Sequence, residues 1–213
     1  MNGLLTLVVV LMMQLLWWFG IHGPNVMGAV TSPFMTKMMA QNLALYQAGE
    51  GVTASGVFYT AGSQYSIIFG PFGSGWFSPT GSGITMGLII AVMLFSKRDD
   101  FKAIAKLAIP CGIFNINEPI IFGIPMVMNP MFAVPFFLAP IACVCCGYLV
   151  QSLGLCPLFV IDVPWTTPVG LFGFLASSGN IMGAIWQAVI ILGVSTLIYT
   201  PFVIAANRQE AAA

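Results

Sequence analysis

Charge is what this sequence has least of. Lysine and arginine together number six, aspartate and glutamate six and histidine one, in 213 residues of which 59% are hydrophobic. A soluble domain carries about a quarter charged residues, so this scarcity points to an integral membrane protein. A zero formal net charge, with no Lys/Arg block interleaved with stacking aromatics, excludes a nucleic-acid partner. A single histidine, His22, and five cysteines without paired Cys-x-x-Cys motifs leave no ligand set for a zinc site. Cys143-Val-Cys145-Cys146 reads as small apolar side chains on a membrane helix. No Gly-Lys-Ser/Thr follows the glycines of Gly70-Pro-Phe-Gly73-Ser-Gly75, which argues against a nucleotide cradle. No cofactor is expected.

What is present is long apolar runs broken by proline and glycine. Gly3–Ile21 is long enough to span a bilayer, at about 28 Å as a helix. It has neither the positive flank nor the small-residue site of a signal peptide. Trp17 and Trp18 near its end fit an interfacial aromatic belt or a ring-stacking platform. The helix then opens at Gly20-Ile-His22-Gly-Pro24, leaving His22 as a solvated group or a ligand donor. Ser32-Pro33 is expected to start an amphipathic interfacial helix that ends at Gly49, with Phe34, Met35, Met38, Met39, Leu43 and Tyr46 on one face and Lys37 and Gln41 opposite. Gly49–Gly83 is too broken for a span and too aromatic for a linker, and reads as a re-entrant hairpin plus loop.

A shorter span is expected over Gly83–Phe95. Lys97, Arg98, Lys102 and Lys106, four of the six basic residues, follow as a loop that the positive-inside rule places in the cytoplasm, either simply solvated or docking a soluble partner. Leu107–Pro130 is expected to dip into the membrane from that side and return. Met131–Val150 reads as a kinked span, 151–180 as a less apolar region around Asp162-Val-Pro164-Trp165, and Ile181–Ala206 as the last span, with Arg208 cytoplasmic. The expected fold is thus an all-α membrane protein of about four transmembrane helices, with re-entrant hairpins and one interfacial helix.

The stretch that organises the chain is Asn115-Ile-Asn117-Glu118-Pro119-Ile-Ile-Phe-Gly123, followed by Pro125 and Asn129-Pro130. Three prolines prevent a smooth helix. They leave unpaired backbone and one carboxylate where lipid would otherwise surround the chain, a pattern tolerated where backbone lines a wet cavity and used by transporters for substrate sites. Glu118 is either part of such a site or a cap for a neighbouring helix.

This run resembles the signature of enzyme IIC, the membrane permease of the bacterial phosphoenolpyruvate-dependent sugar phosphotransferase system, in its lactose/cellobiose family with the diacetylchitobiose members. The resemblance implies a site for a β-linked disaccharide in which Glu118, Asn115 and Asn117 take part. The Trp17 to His22 spacing is similar to a family pair that faces the substrate, and Trp165 matches a family tryptophan in this region. It also implies a bacterial inner-membrane location and soluble enzymes IIA and IIB as partners, with the phosphoryl chemistry on IIB. Residues 1–213 resemble only the carrier half of the family pattern. The dimerisation half of about five further helices is expected from elsewhere, supplied in trans if the gene is split, and a homodimer is implied. Two other readings fit the same residues: a proton-coupled sugar transporter with Glu118 and His22 as a relay, and a non-transporting membrane fragment.

The basic cluster yields a test of orientation. In a background without native cysteines, an impermeant thiol reagent applied to intact cells is expected to label Ser178→Cys and spare Asp100→Cys. Labelling of Asp100→Cys from outside would reverse the topology.

Overall fold

The computed structural model describes residues 3–68 and 70–210. Helices dominate: α1 (Gly3–Trp18), α2 (Gly23–Gln47), α3 (Gly70–Trp76), α4 (Met86–Phe95), α5 (Asp99–Ile113), α6 (Glu118–Gly123), α7 (Pro130–Ser152), α8 (Leu171–Ala176), α9 (Ile181–Ala188) and α10 (Ser195–Glu210). A π-helical stretch, Val189–Val194, joins α9 to α10 without a break. The fold is not purely helical. Val52–Thr53 and Gly56–Val57, with three β-branched residues and a glycine either side of an Ala54-Ser55 turn, pair as a two-stranded antiparallel ribbon inside the stretch read as a hairpin plus loop.

Two helices among the described residues, Pro130–Ser152 and Ile181–Arg208, are long and apolar enough to cross a membrane; Gly3–Trp18 and Met86–Phe95 are apolar but shorter. The first run stops at Trp18 because Gly20, at φ +81°, closes it. The Gly20 amide donates to the Trp17 carbonyl and the Ile21 amide to the Leu16 carbonyl, the paired bonds of a Schellman end. α4 begins three residues later than expected, and its ten residues reach about 15 Å.

Other boundaries also move. The second helix starts at Gly23, not at Ser32, and runs through Pro33. The hydroxyls of Thr31 and Ser32 bond back to the carbonyls of Met27 and Gly28, so neither acts as a cap. Its packed side contains Met35, Met38, Met39 and Tyr46 as expected, but Phe34 and Leu43 are exposed. The buried Asn42 makes two bonds to the Ser66 backbone and pins the loop beneath the helix. The charge cluster is not a loop. Asp99 and Asp100 occupy the first turn of α5, where the free amides favour acids, and Arg98 holds Asp100 at 2.6 Å. That charge-assisted bond keeps the Asp100 carboxyl below its usual range. Phe101, Ala105, Ala108 and Gly112 form the buried stripe of α5, which makes it an amphipathic helix in its own right.

Two apolar cores form. In one, Trp76 stacks on Phe159 at 5.1 Å and Phe172 meets Phe159 edge-on, with Val9, Val10 and Cys143 packed around them. The other gathers Trp17, Leu88, Val92, Phe101, Ile120, Phe132 and Tyr199. α7 supplies residues to both, so it acts as the common wall.

Between the cores lies the segment 80–85, and its backbone is strained. Thr80 and Ile84 have φ of +58° and +51°, a region that β-branched residues rarely adopt. Such a conformation persists only when its surroundings over-determine it. Tyr199 donates to the Gly83 carbonyl at 2.7 Å, Asn117 Nδ2 to the Ser82 carbonyl at 2.7 Å, and the Thr80 amide to Asn115 Oδ1 at 2.6 Å. Asn115 Nδ2 also donates to the carbonyls of Trp165 and Thr167, at 2.5 and 2.8 Å. One side-chain amide therefore ties three distant segments together.

Asn115→Ala would strand the Thr80 amide and two carbonyls. A buried unpaired polar group costs about 1–3 kcal/mol, so the loss of stability is expected on the order of 3 kcal/mol. Thermal unfolding in detergent should show a clearly lower midpoint for Asn115→Ala, and an unchanged midpoint would refute the clamp.

Candidate functional site

The broken stretch 114–129 is built by its prolines and asparagines. α5 ends at Ile113 with Phe114 as its C-cap, and Asn115 turns the chain at φ +66°, a left-handed geometry that asparagine tolerates better than most residues. Pro119 sits in the first turn of α6 and Pro130 starts α7, positions where a missing N–H costs nothing. The result is a short helix whose first residue is Glu118.

Glu118 lines a cavity of about 690 Å³ together with Trp17, His22, Asn115, Asn117 and Trp165. The structure thus brings all six sequence-derived residues to one place, although their roles differ. Trp17 is 4% exposed and wedged between His22, at 5.0 Å, and Phe122, at 6.3 Å. It supports the histidine and leaves little open ring face, so it is not a free stacking platform. His22 Nδ1 accepts the Asn25 amide at 3.3 Å as the cap of α2. In a neutral imidazole that bond places the proton on Nε2, which becomes the donor available to a ligand. Asn115 lines the wall, but both ends of its amide hold backbone. Its role is to build the site.

Asn117 keeps one free group. Its Nδ2 bonds to Ser82 while its Oδ1 has no partner among the described residues. A Cβ on Gly81, at φ +81°, would lie 2.2 Å from the Asn117 amide carbon, so only glycine lets this loop pass. Glu118 is half-buried, and among the described residues its carboxylate has no hydrogen bond or ion pair; the one ion pair is Arg98 with Asp100. It caps no other helix. Trp165 is anchored through its carbonyl by Asn115, while its indole is 60% exposed at the cavity wall.

Ser74, Ser78 and Ser82 also line the cavity, and the sequence reading missed them. Ser82 is 3% exposed and its Oγ has no partner, leaving a buried hydroxyl at the cavity. The interleaved Gly and Ser of 70–83 were the available signal. No lysine or arginine lines this space. One carboxylate, one free amide oxygen, an imidazole N–H, a hydroxyl and an open indole match a neutral polyhydroxylated ring: carboxylate and amide accept from hydroxyls, and the indole covers an apolar ring face. The volume falls in the range of small-molecule sites, about 300–1,000 Å³.

Comparison with known proteins places this geometry. Residues 1–140 match the family described as Phosphotransferase system, EIIC. The chain is similar to the cellobiose-specific EIIC component of the phosphotransferase system from Lactococcus lactis subsp. lactis (strain IL1403), at 37% identity over 96% of this chain and 43% of the relative. It is also similar to the oligo-beta-mannoside-specific EIIC component from Bacillus subtilis (strain 168), at 35% identity over 97% of this chain and 44% of the relative. Among solved structures it resembles the transporter ChbC, the IIC component from the N,N'-diacetylchitobiose-specific phosphotransferase system. The TM-score is 0.86 at 34% identity, covering 97% of this chain and 45% of that one. The chain spans less than half the length of these relatives. With a family match over most of its length and relatives above 30% identity across nearly all of it, this chain belongs to the EIIC family of the phosphotransferase system, whose permeases are integral membrane proteins.

Proposed function

We propose that this chain is the sugar-carrying part of a phosphotransferase permease that binds a β-linked disaccharide of the cellobiose, lactose or diacetylchitobiose type. The observation that carries the reading is the convergence of Trp17, His22, Asn115, Asn117, Glu118 and Trp165 on one cavity. Within it, Glu118 and Asn117 Oδ1 accept from sugar hydroxyls, His22 Nε2 and Ser82 Oγ donate, and Trp165 stacks on a pyranose face. Trp17 and Asn115 hold the binding groups in place. No group on this chain is assigned the phosphoryl chemistry, which belongs to a soluble enzyme IIB recharged by enzyme IIA. The names of relatives that act on cellobiose and N,N'-diacetylchitobiose support the ligand class.

In this reading, residues 1–213 are the carrier half of the permease. The matched share of the relatives, 43–45% of their length, supports that correspondence, and a dimerisation half completes the transporter. The helix of α7 and the continuous helix Ile181–Arg208 cross a bacterial inner membrane. α1 and α4 complete the crossings with the turns that follow or precede them, and α5, the break and α6 form the re-entrant element. Lys97, Arg98, Lys102 and Lys106 lie on the cytoplasmic side.

Glu118→Gln keeps the shape of the side chain and weakens a charge-assisted acceptor, at about 1.5–3 kcal/mol for a bond to a charged group. Affinity for cellobiose or diacetylchitobiose, measured by titration calorimetry in detergent, is expected to fall roughly 10- to 150-fold. The unfolding midpoint without sugar should hold or rise slightly, because a half-buried unpaired charge does not stabilise the fold. Unchanged affinity with a lowered midpoint would make Glu118 a structural residue.

A further inference from the structure

A second cavity, of about 530 Å³, lies across the Asn115 clamp from the first. It is a groove between α4 and α5, floored by Met86, Ile89, Ile90 and Met93 from the former and Ile109 and Ile113 from the latter. The two helices are antiparallel, since a Cβ on Gly112 would meet Met86 and Ile89. The groove therefore runs from the Met86 end of α4 toward Leu94 and the basic end of the hairpin.

Thr80 is the one hydrogen-bonding side chain in the lining, and its polar groups are engaged: the amide with Asn115, the hydroxyl with the Met86 amide, the carbonyl with Thr85. Beyond the Thr80 hydroxyl proton, since that oxygen only accepts from the Met86 amide, the lining side chains offer an occupant no hydrogen-bond partner. Hydrocarbon suits it. At the other end the chemistry changes sign. Lys102, Lys106, Ile109 and Ile113 follow one another at steps of four, three and four residues, so they share one face of α5. Ile113 lies about 10 Å along the helix from Lys106 and about 16 Å from Lys102. Neither lysine has an acidic partner among the described residues. Neither lysine lines the groove itself, but both lie on the α5 face of Ile109 and Ile113, nearer the start of the helix, and an apolar groove with two unpaired lysines beyond its end has the polarity of an amphiphile with an anionic head.

We propose that this groove binds one acyl chain of an anionic phospholipid, with Lys102 and Lys106 holding the headgroup phosphate. Lipid of this kind would brace the outer side of the segment that the Asn115 clamp holds on the inner side. The proposal stands on the groove and the lysines and does not depend on which sugar the first cavity takes.

The test uses the full chain, delipidated in detergent and followed by native mass spectrometry with dioleoyl phosphatidylglycerol or dioleoyl phosphatidylcholine. An exposed basic side chain near an anionic lipid surface is worth about a factor of five. The wild-type chain should therefore retain one phosphatidylglycerol with roughly 25-fold preference over phosphatidylcholine. Lys102→Gln with Lys106→Gln should remove that preference. Lys106 is exposed and Lys102 half-buried, neither lines the first cavity, and sugar binding by the double variant should match the wild type, which confirms its fold. Ile90→Trp, which fills the groove, should weaken retention of both lipids. Equal retention of the two lipids by the wild type, or preference kept by the lysine variant, would overturn the proposal. So would displacement of phosphatidylglycerol by millimolar inorganic phosphate alone, or a change in oligomeric state with Ile90→Trp, which would mark the groove as a protein interface.

Discussion

The Asn115 amide is the constraint on which the site depends. Its three bonds reach Thr80, Trp165 and Thr167, and they fix two cavity walls relative to the motif that carries Glu118. Backbone at 80–84 repeatedly enters the left-handed region, and no local propensity favours that for threonine or isoleucine. Side-chain amides and the Tyr199 hydroxyl impose it. Strain of this kind belongs where a site must be rigid, and here it accompanies a buried Ser82 hydroxyl without a partner in the cavity lining.

Proline and charge divide the remaining work. Prolines in the first turns of α6 and α7 break the chain without leaving extra N–H groups unpaired. The break lets Glu118 stand at the cavity with open acceptor positions. A carboxylate so placed is costly in an apolar protein, and apart from its place in the first turn of α6, no neighbouring cation relieves it among the described residues. In the proposed function, ligand hydroxyls supply the missing donors. The same economy of charge appears toward the other end of α5, where lysines without acid partners among the described residues share a helix face with Ile109 and Ile113 of the apolar groove.

The sequence made the lining of the candidate cavity legible and what each side chain touches less so. Glu118 and His22 were readable because an acid in a proline-broken apolar run and a lone histidine at a helix opening are both rare patterns. Asn115 was read as a ligand group because its partners lie 35, 50 and 52 residues away, and spacing carries no trace of such contacts. Trp17 was open to reading as a platform, yet Phe122 and His22 close over it. Ser82 escaped notice since a serine among glycines signals a loop before it signals a ligand. Long apolar helices were readable from length alone, whereas Ser32-Pro33 misled: the histidine before Gly23-Pro24 caps the helix, which continues through Pro33. The basic cluster read as a loop because its composition is polar, but every third or fourth residue from Phe101 to Gly112 is small or apolar and buried.

The central claim is that one cavity, walled by the Asn115 clamp, receives the sugar. A structure of the chain solved with cellobiose bound measures it directly. The disaccharide is expected inside the Glu118 cavity, with one ring against the Trp165 indole, a hydroxyl within hydrogen-bond distance of the Glu118 carboxylate and Asn115 still bonded to Thr80 and Thr167. Sugar bound elsewhere, or in the cavity without contact to Glu118 and Trp165, would contradict it.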